Sequence, residues 1–121
     1  MIKSKFPHKK SVALLLDPDK SEEAALKVIL KIASDYRADY IFTGGSLTFS
    51  SIDNLIDAIK AVCNIPVILF PGNLLQLSRK ADAVLLLSLI SGRNPDLLIG
   101  NHVLAAPYLR DIRDKIISVG Y

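Results

Sequence analysis

Two carboxylates and an ammonium group follow an apolar run near the start of the sequence. Residues 12–16 read VALLL, and Asp17, Pro18, Asp19 and Lys20 come directly after them. A carboxylate at the end of a buried strand is a hard oxygen ligand, which suits Mg²⁺; this ion takes one or two protein carboxylates and keeps water and phosphate oxygens in its other positions. Because Asp17 precedes a proline and is poorly placed to cap a helix, we interpret it as functional. We interpret Asp19 as structural, at the start of the next helix.

Two further groups suit the binding of an anion. Gly44 and Gly45 follow the second apolar run, and glycines let the backbone approach a ligand and aim its N–H groups at it. Ser46 adds a hydroxyl as a candidate metal ligand, although a GGS turn alone is a weak signal. Arg93 follows the fourth run, where a guanidinium can clamp a phosphate, with a solvated side chain as an equal alternative.

Apolar runs alternate with amphipathic segments along the whole chain. The predicted strands cover residues 12–16, 40–44, 66–70, 83–89 and 115–121. The predicted helices cover residues 21–34, 52–62, 74–79 and a region from 94 to about 114 that Pro107 interrupts. Asp19 or Ser21 is expected to cap the first helix.

The predicted strands are continuously apolar, so both of their faces should be buried. This pattern indicates an α/β fold with a parallel sheet wrapped by helices, either a doubly wound sheet or a (β/α)₈ barrel. Polar and glycine residues collect just after the strands, at the edge where both architectures bind their ligands. An enzyme is therefore favoured over a scaffold.

Composition limits the function classes. The 121 residues predict a single domain over 1–121, with one cysteine, Cys63, and no apolar run long enough to cross a membrane, so a cytoplasmic setting is expected. The net charge of +3 includes Lys3, Lys5, Lys9 and Lys10, which we interpret as a solvated segment, with a peripheral contact to an anionic membrane as the alternative. No nucleic-acid motif is present, and His102 lacks partners for a metal site.

Four stretches carry a resemblance to a known family. The segments LLLDPDK, FTGGSL, PVILFPGN and ADAVLLLSLISGRNPDLLIGNHVLAAP resemble the geranylgeranylglyceryl phosphate synthase family, which includes bacterial heptaprenylglyceryl phosphate synthases. The last segment is highly specific, whereas DPDK or GGS alone is not. With Leu15 two residues before Asp17, where other members have lysine, the chain is similar to the second group of the family.

The resemblance implies a (β/α)₈ barrel of the TIM type. It also implies an Mg²⁺-dependent prenyltransferase of ether-lipid biosynthesis that joins a polyprenyl diphosphate to sn-glycerol 1-phosphate. The metal ligands carried over are Asp17 and Ser46, and Gly44, Gly45 and Arg93 are expected to bind substrate. Leu97 stands where some members carry a bulky aromatic residue that closes the prenyl groove, so a C20 geranylgeranyl chain is expected.

Family members are about twice this length, as a whole barrel of roughly 250 residues requires. The resemblance therefore covers the N-terminal half of a barrel, about five strands. Later glycine-rich loops hold glycerol phosphate in the family, and no segment here matches them. Two hypotheses follow: the chain is part of a prenyltransferase, or it is an inactive half-barrel that acts by self-association or partner binding. Association into a homo-oligomer is expected in either case.

Overall fold

Five short parallel strands form one sheet, in which neighbours along the chain are also neighbours in space. The computed structural model describes residues 10–20, 22–45, 51–73 and 76–121. Within them the strand order is β1-β2-β3-β4-β5. The strands are β1 Ala13–Leu16, β2 Tyr40–Thr43, β3 Val67–Leu69, β4 Ala83–Ser88 and β5 Ile116–Gly120. All five predicted strands are confirmed, each shorter than predicted by one or two residues at its ends.

The helices lie against one face of the sheet. They are α1 Glu23–Asp35, α2 Ile52–Val62 and α3 Gly100–Leu109, with 3₁₀ turns at Pro18–Lys20, Pro95–Leu97 and Arg110–Lys115. Leu30 of α1 and Ile56 of α2 are fully buried in one cluster with Ile41 and Val67 of the sheet. This cluster is the main core, and it is built from the amphipathic faces of the helices.

The opposite face of the sheet has a second core made of strand side chains. Tyr40, Ile68, Ala83 and Leu85 form this cluster, and none is more than 7% exposed, although no described helix contributes a residue to it. A doubly wound sheet carries helices on both faces, whereas a (β/α)₈ barrel has helices outside and layered strand side chains inside. Together with the sequential strand order, this arrangement is that of a barrel wall.

The capping prediction for α1 is wrong. Its N-cap is Glu22, whose side chain makes no capping hydrogen bond, and Asp19 lies in the preceding 3₁₀ turn. Ser21 lies outside the described residues. Helix α2 has the predicted bounds, and Ser51 caps it by accepting the Asn54 N–H at 3.4 Å.

The predicted interruption at Pro107 is also wrong, because the proline lies inside α3. Its ring removes one backbone donor, yet the helix continues to Leu109. Ala105 and Leu109 are both buried in the main core, so packing of this face outweighs the missing hydrogen bond. The helical path changes instead at Ile112, whose backbone has φ −121° and ψ 23°.

The predicted helix over residues 74–79 is reduced in its described part to a 3₁₀ position at Gln76, whose N–H donates to the Asn73 carbonyl at 3.3 Å, while residues 77–79 are not helical. Residues 78–82 instead run beside α2, and polar side chains along one side of that helix bind them. Ser78 bonds to Asp53, Lys80 pairs with Asp57, and the ammonium of Lys60 donates to the carbonyl oxygen of Lys80 at 2.7 Å. Positions 53, 57 and 60 share one side of α2, which gives the segment regular partners without a helix of its own.

Two aspartates lie at the N-terminal edge of the sheet. Asp39, just before β2, accepts the Val12 N–H at 2.8 Å and donates its own N–H to the Val12 carbonyl at 2.9 Å. Asp82, just before β4, makes the same pair of bonds with Val67, both at 2.8 Å. Each aspartate thereby satisfies the first backbone groups of the strand beside it.

Candidate active site

The polar residues after the strands meet at the C-terminal edge of the sheet. Leu16 pairs with Thr43, and Thr43 with Leu69, so the residues that follow these positions emerge side by side. The N–H of Gly44 donates to the Leu16 carbonyl at 3.3 Å, which places Gly44 next to Asp17. The edge therefore brings together the loops after β1, β2 and β3.

Asp17 begins a tight turn and stays accessible. Its Oδ1 accepts the Asp19 N–H at 3.1 Å, while Oδ2 is 3.7 Å from the Lys20 ammonium. The Asp17 side chain is 34% exposed, and Pro18 beneath the turn is buried. The turn fixes one oxygen of the carboxylate and leaves the group in contact with solvent, so it can reach a ligand.

Both the backbone conformation and the neighbouring atoms require a glycine at position 44. Its φ is +145°, a conformation open mainly to glycine, and a Cβ there would lie 2.1 Å from the Phe70 carbonyl oxygen. The Gly45 N–H donates to the side-chain oxygen of Gln76 at 3.2 Å. The two glycines thus allow the loops after β2 and β3 to approach closely, and the N–H groups predicted to face an anion are donated to protein acceptors.

Gln76 was not predicted from the sequence, although its side chain joins two of the loops at this edge. It is 2% exposed and bonds to both Gly45 and Gly72. No motif marks it, since a single glutamine carries no sequence signal of its own.

The remaining predicted residues are spread along the edge. Arg93 is exposed and makes no ion pair or hydrogen bond with the described residues, in a segment after β4 that is three strands from Asp17. Ser46 lies outside the described residues. Across the described ranges no group of three or more His, Cys, Asp or Glu side chains is placed to hold a metal.

Leu97 lines an apolar cavity beneath α3. The cavity measures about 110 Å³, several times the volume that one water needs. Leu86, Ala105 and Leu109 supply apolar walls, and Asn101 contributes polar atoms. Leu97 thus lines an apolar cavity, while its predicted place in a prenyl groove and its contact with substrate stay predictions.

Strand β3 pairs with β4 only as far as Val84. Beyond Val84, contacts from loops and side chains hold this part of the structure together. The Leu89 N–H donates to the Leu97 carbonyl at 3.0 Å, and Nε2 of His102 lies 2.8 Å from the Leu87 carbonyl oxygen. Since a carbonyl only accepts, Nε2 carries the hydrogen. His102 therefore holds α3 against the sheet.

Shifted pKa values occur at exposed pairs away from this edge. A hydrogen bond to Asp57, opposed by partial desolvation, raises the pKa of Lys80. A hydrogen bond from Lys27, together with its charge, lowers the pKa of Glu23. Both pairs are solvent-exposed and lie on the outer surface.

Among the described helices, none is both long and apolar enough to cross a membrane.

Comparison with known proteins identifies the family. Residues 5–121 match the model of the PcrB family. The chain is 49% identical over 113 residues to the geranylgeranylglyceryl phosphate synthase of Chitinophaga pinensis, covering 93% of this chain and 45% of that protein. It is 38% identical to the synthase of the same name from Methanosphaera stadtmanae, covering 88% of this chain and 44% of that protein.

Solved structures give the same result. The wild-type GGGPS of Thermoplasma volcanium superposes with a TM-score of 0.85 at 30% identity, covering 99% of this chain and 49% of that one. The geranylgeranylglyceryl phosphate synthase of Thermoplasma acidophilum, in complex with sn-glycerol-1-phosphate, gives 0.84 at 33% identity, covering 94% of this chain and 47% of that one. The chain spans about half the length of the curated relatives it matches. The family match and these identities together establish that the chain belongs to the PcrB family.

Proposed function

We propose that the full-length protein is an Mg²⁺-dependent prenyltransferase that joins a polyprenyl diphosphate, geranylgeranyl diphosphate first, to sn-glycerol 1-phosphate. The observation that carries the proposal is similarity to synthases named for this product across nearly the whole of this chain. The reaction forms an ether bond to a glycerol hydroxyl and releases pyrophosphate, so the product is an ether-lipid precursor.

The donor set fits Mg²⁺. Asp17 supplies a partly exposed carboxylate at the end of β1, and a hydroxyl from Ser46, which lies outside the described residues, is the second proposed ligand. One carboxylate with few protein partners suits an ion that shares its coordination with phosphate oxygens and water. When bound, the metal neutralises negative charge on the departing diphosphate.

The other proposed roles belong to the chain itself. Because Gly44 and Gly45 have no side chains, a diphosphate can approach the backbone at the edge near Asp17. The Lys20 ammonium adds positive charge to the turn that holds Asp17. The apolar cavity beside Leu97 is the proposed entry of the groove for the isoprenoid chain, with Arg93 at the exposed start of the same segment.

The test is a transfer assay on the full-length protein with labelled sn-glycerol 1-phosphate, Mg²⁺ and prenyl diphosphates of C15, C20 and C35 length. We expect an ether product that requires Mg²⁺ and that is formed fastest with C20. Replacement of the acceptor by sn-glycerol 3-phosphate is the matched control. Hydrolysis of the prenyl diphosphate without ether formation, or equal use of both glycerol phosphates, would contradict the proposal.

A second candidate is that the chain acts without catalysis, through self-association or partner binding. The observation that favours it is the sheet itself, since β1 and β5 are its outer strands in the described residues and each pairs on one side only. An isolated chain that associates but transfers no prenyl group is expected under both candidates, so turnover by the full-length protein distinguishes them.

A further inference from the structure

Gln76 joins two loops at the C-terminal edge through one buried amide. Its Oε1 accepts the N–H of Gly72 at 3.0 Å and the N–H of Gly45 at 3.2 Å, and its Nε2 donates to the Gly45 carbonyl. The opposite orientation of the amide would face two N–H groups with a donor and a carbonyl with an acceptor. The three contacts therefore fix both the position of the side chain and the orientation of its amide group.

These contacts extend the sheet beyond its last backbone pairs. Backbone bonding between the ends of β2 and β3 stops where the Phe70 N–H donates to the Thr43 carbonyl at 2.9 Å. Past that point, Gln76 provides the described contacts that hold Gly45 to Gly72. It also lies 3.2 Å from the space that a Cβ on Gly44 would occupy, so the loops are closely packed around it.

We propose that Gln76 is a positioning residue for the diphosphate site: it fixes the backbone of Gly45 relative to Gly72 and so sets the shape of the edge beside Asp17. The ligand named here rests on the proposed function, whereas the contacts do not. Gln76 is buried and acts through the two glycines. Loss of the Gln76 amide should weaken the binding of diphosphate more than it changes any other property of the site.

The test compares Gln76→Leu with Ser78→Ala in the full-length protein. Leucine keeps the bulk of Gln76 and removes all three hydrogen bonds. Ser78, two residues along the same segment, is also buried, but its hydroxyl contacts Asp53 of α2 and the Lys80 N–H at 3.1 Å. It therefore controls for loosening of the segment without loss of the contacts to Gly45 and Gly72.

Binding of inorganic pyrophosphate in the presence of Mg²⁺ is measured by calorimetry, and protection of individual amides by hydrogen exchange. For Gln76→Leu we expect binding weaker by about tenfold and loss of protection at Gly45 and Gly72. For Ser78→Ala we expect both to match the wild type. In the transfer assay Gln76→Leu should raise KM for prenyl diphosphate more than it lowers kcat.

Equal loss of binding in both variants, or wild-type binding by Gln76→Leu, would overturn the proposal. If Gln76→Leu does not fold, Gln76→Glu keeps the acceptor for two N–H groups, loses the donor to Gly45, and should give an intermediate affinity. Unprotected amides at Gly45 and Gly72 in the wild type would also overturn it. If the wild type binds no pyrophosphate, the proposed function fails, and the exchange data still decide whether Gln76 holds the loops.

Discussion

Asp17 is the side chain on which the proposed metal chemistry depends, and Asp17→Asn isolates its charge. The amide keeps an oxygen for the Asp19 N–H, so the turn should persist while the anionic ligand is lost. We expect Mg²⁺-dependent turnover by the full-length protein to fall by at least about 100-fold with little change in thermal unfolding. Initial rates across an Mg²⁺ titration measure this. Ser46→Ala should act in the same direction more weakly, because a hydroxyl is a neutral ligand.

Asp19→Asn is the matched control for Asp17→Asn. Asp19 is exposed in the same turn and is interpreted as structural, so the variant should keep near-normal rates. Near-normal activity of Asp17→Asn at limiting Mg²⁺ would show that the metal assignment is wrong.

Gly44 gives a second prediction, which concerns stability. In Gly44→Ala the new methyl group meets the Phe70 carbonyl oxygen at 2.1 Å while φ stays near +145°, so the loops after β2 and β3 must separate. We expect the free energy of unfolding to fall by more than about 2 kcal/mol. Denaturant titration measures the loss, with Gly120→Ala as the control because its Cβ meets only the flexible Ile90 side chain. Equal stability of the two variants would contradict the close approach.

Residues with a chemical signature could be predicted, and those defined by distant partners could not. Asp17 stands in a recognisable turn after an apolar run, so its place at the C-terminal edge could be predicted, while its use as a metal ligand stays a proposal. Gln76 contacts backbone groups of Gly45, which is 31 residues earlier, and nothing in its neighbouring sequence indicates that contact. The side chains that position a site are therefore harder to find than those proposed to act in it.

At the scale of elements, tertiary contacts decide where local preference is weak. Helix α2 matches its prediction because its apolar spacing and the Ser51 cap agree. The region around Pro107 does not, because burial of Ala105 and Leu109 sustains α3 through a residue that normally ends a helix. Residues 78–82 are held by side chains of α2, and their own sequence gives no sign of those partners.

The segment between β4 and α3 carries the prediction on chain length. The Leu97 carbonyl accepts the N–H of Leu89, the first residue after β4, so a larger side chain at 97 has little room to move away from the cavity. In Leu97→Trp, an indole in this space should disfavour long prenyl chains by about 1–3 kcal/mol. Relative kcat/KM for C15, C20 and C35 diphosphates measures the shift in the full-length protein.

Leu98→Trp is the control for that experiment. Leu98 is the next residue, is 39% exposed and is not among the residues that line the cavity. Its substitution should leave the preference unchanged. An unchanged preference in Leu97→Trp as well would move the groove elsewhere.

At the scale of the whole molecule, the apolar pattern left two architectures open, the family resemblance implied the barrel, and the structure confirms the barrel. Continuous apolar strands indicate burial on both faces, but they do not tell whether helices or other strands provide it. The second core around Ile68 and Leu85 consists of strand residues, which is the inner layer of a barrel wall. Local periodicity does not show on which face of the sheet the helices pack, because that depends on how the whole chain assembles.

This wall leads to a prediction for the 121-residue chain. Among the described residues, β1 and β5 each pair with another strand on one side only. Leu15 of β1, which pairs with Phe42 of the second core, lies on the inner face and is 58% exposed. We expect the isolated chain to associate in light scattering and to transfer no prenyl group. Leu15→Lys should reduce association by placing a charge on this face. Val28→Lys, at 60% exposure on α1, should not. A monomer at all concentrations, or clear turnover, would contradict the prediction.

The aspartates at the N-terminal edge have a consequence for the opposite edge. A register shift by one residue turns every side chain of a strand to the opposite face. In a strand that is apolar on both faces the shifted side chains are still apolar, so the hydrophobic pattern alone opposes the shift less than it does in an alternating strand. Asp39 and Asp82 oppose such slippage, because each exchanges two hydrogen bonds with a single residue of the neighbouring strand. A shifted strand would lose both bonds and bring a carboxylate against apolar side chains. Asp39 favours the alignment of β1 and β2 in which Leu16 meets Thr43, and so it helps, from the far end of these strands, to place Asp17 beside Gly44. Asp82 acts in the same way on the alignment of β3 and β4.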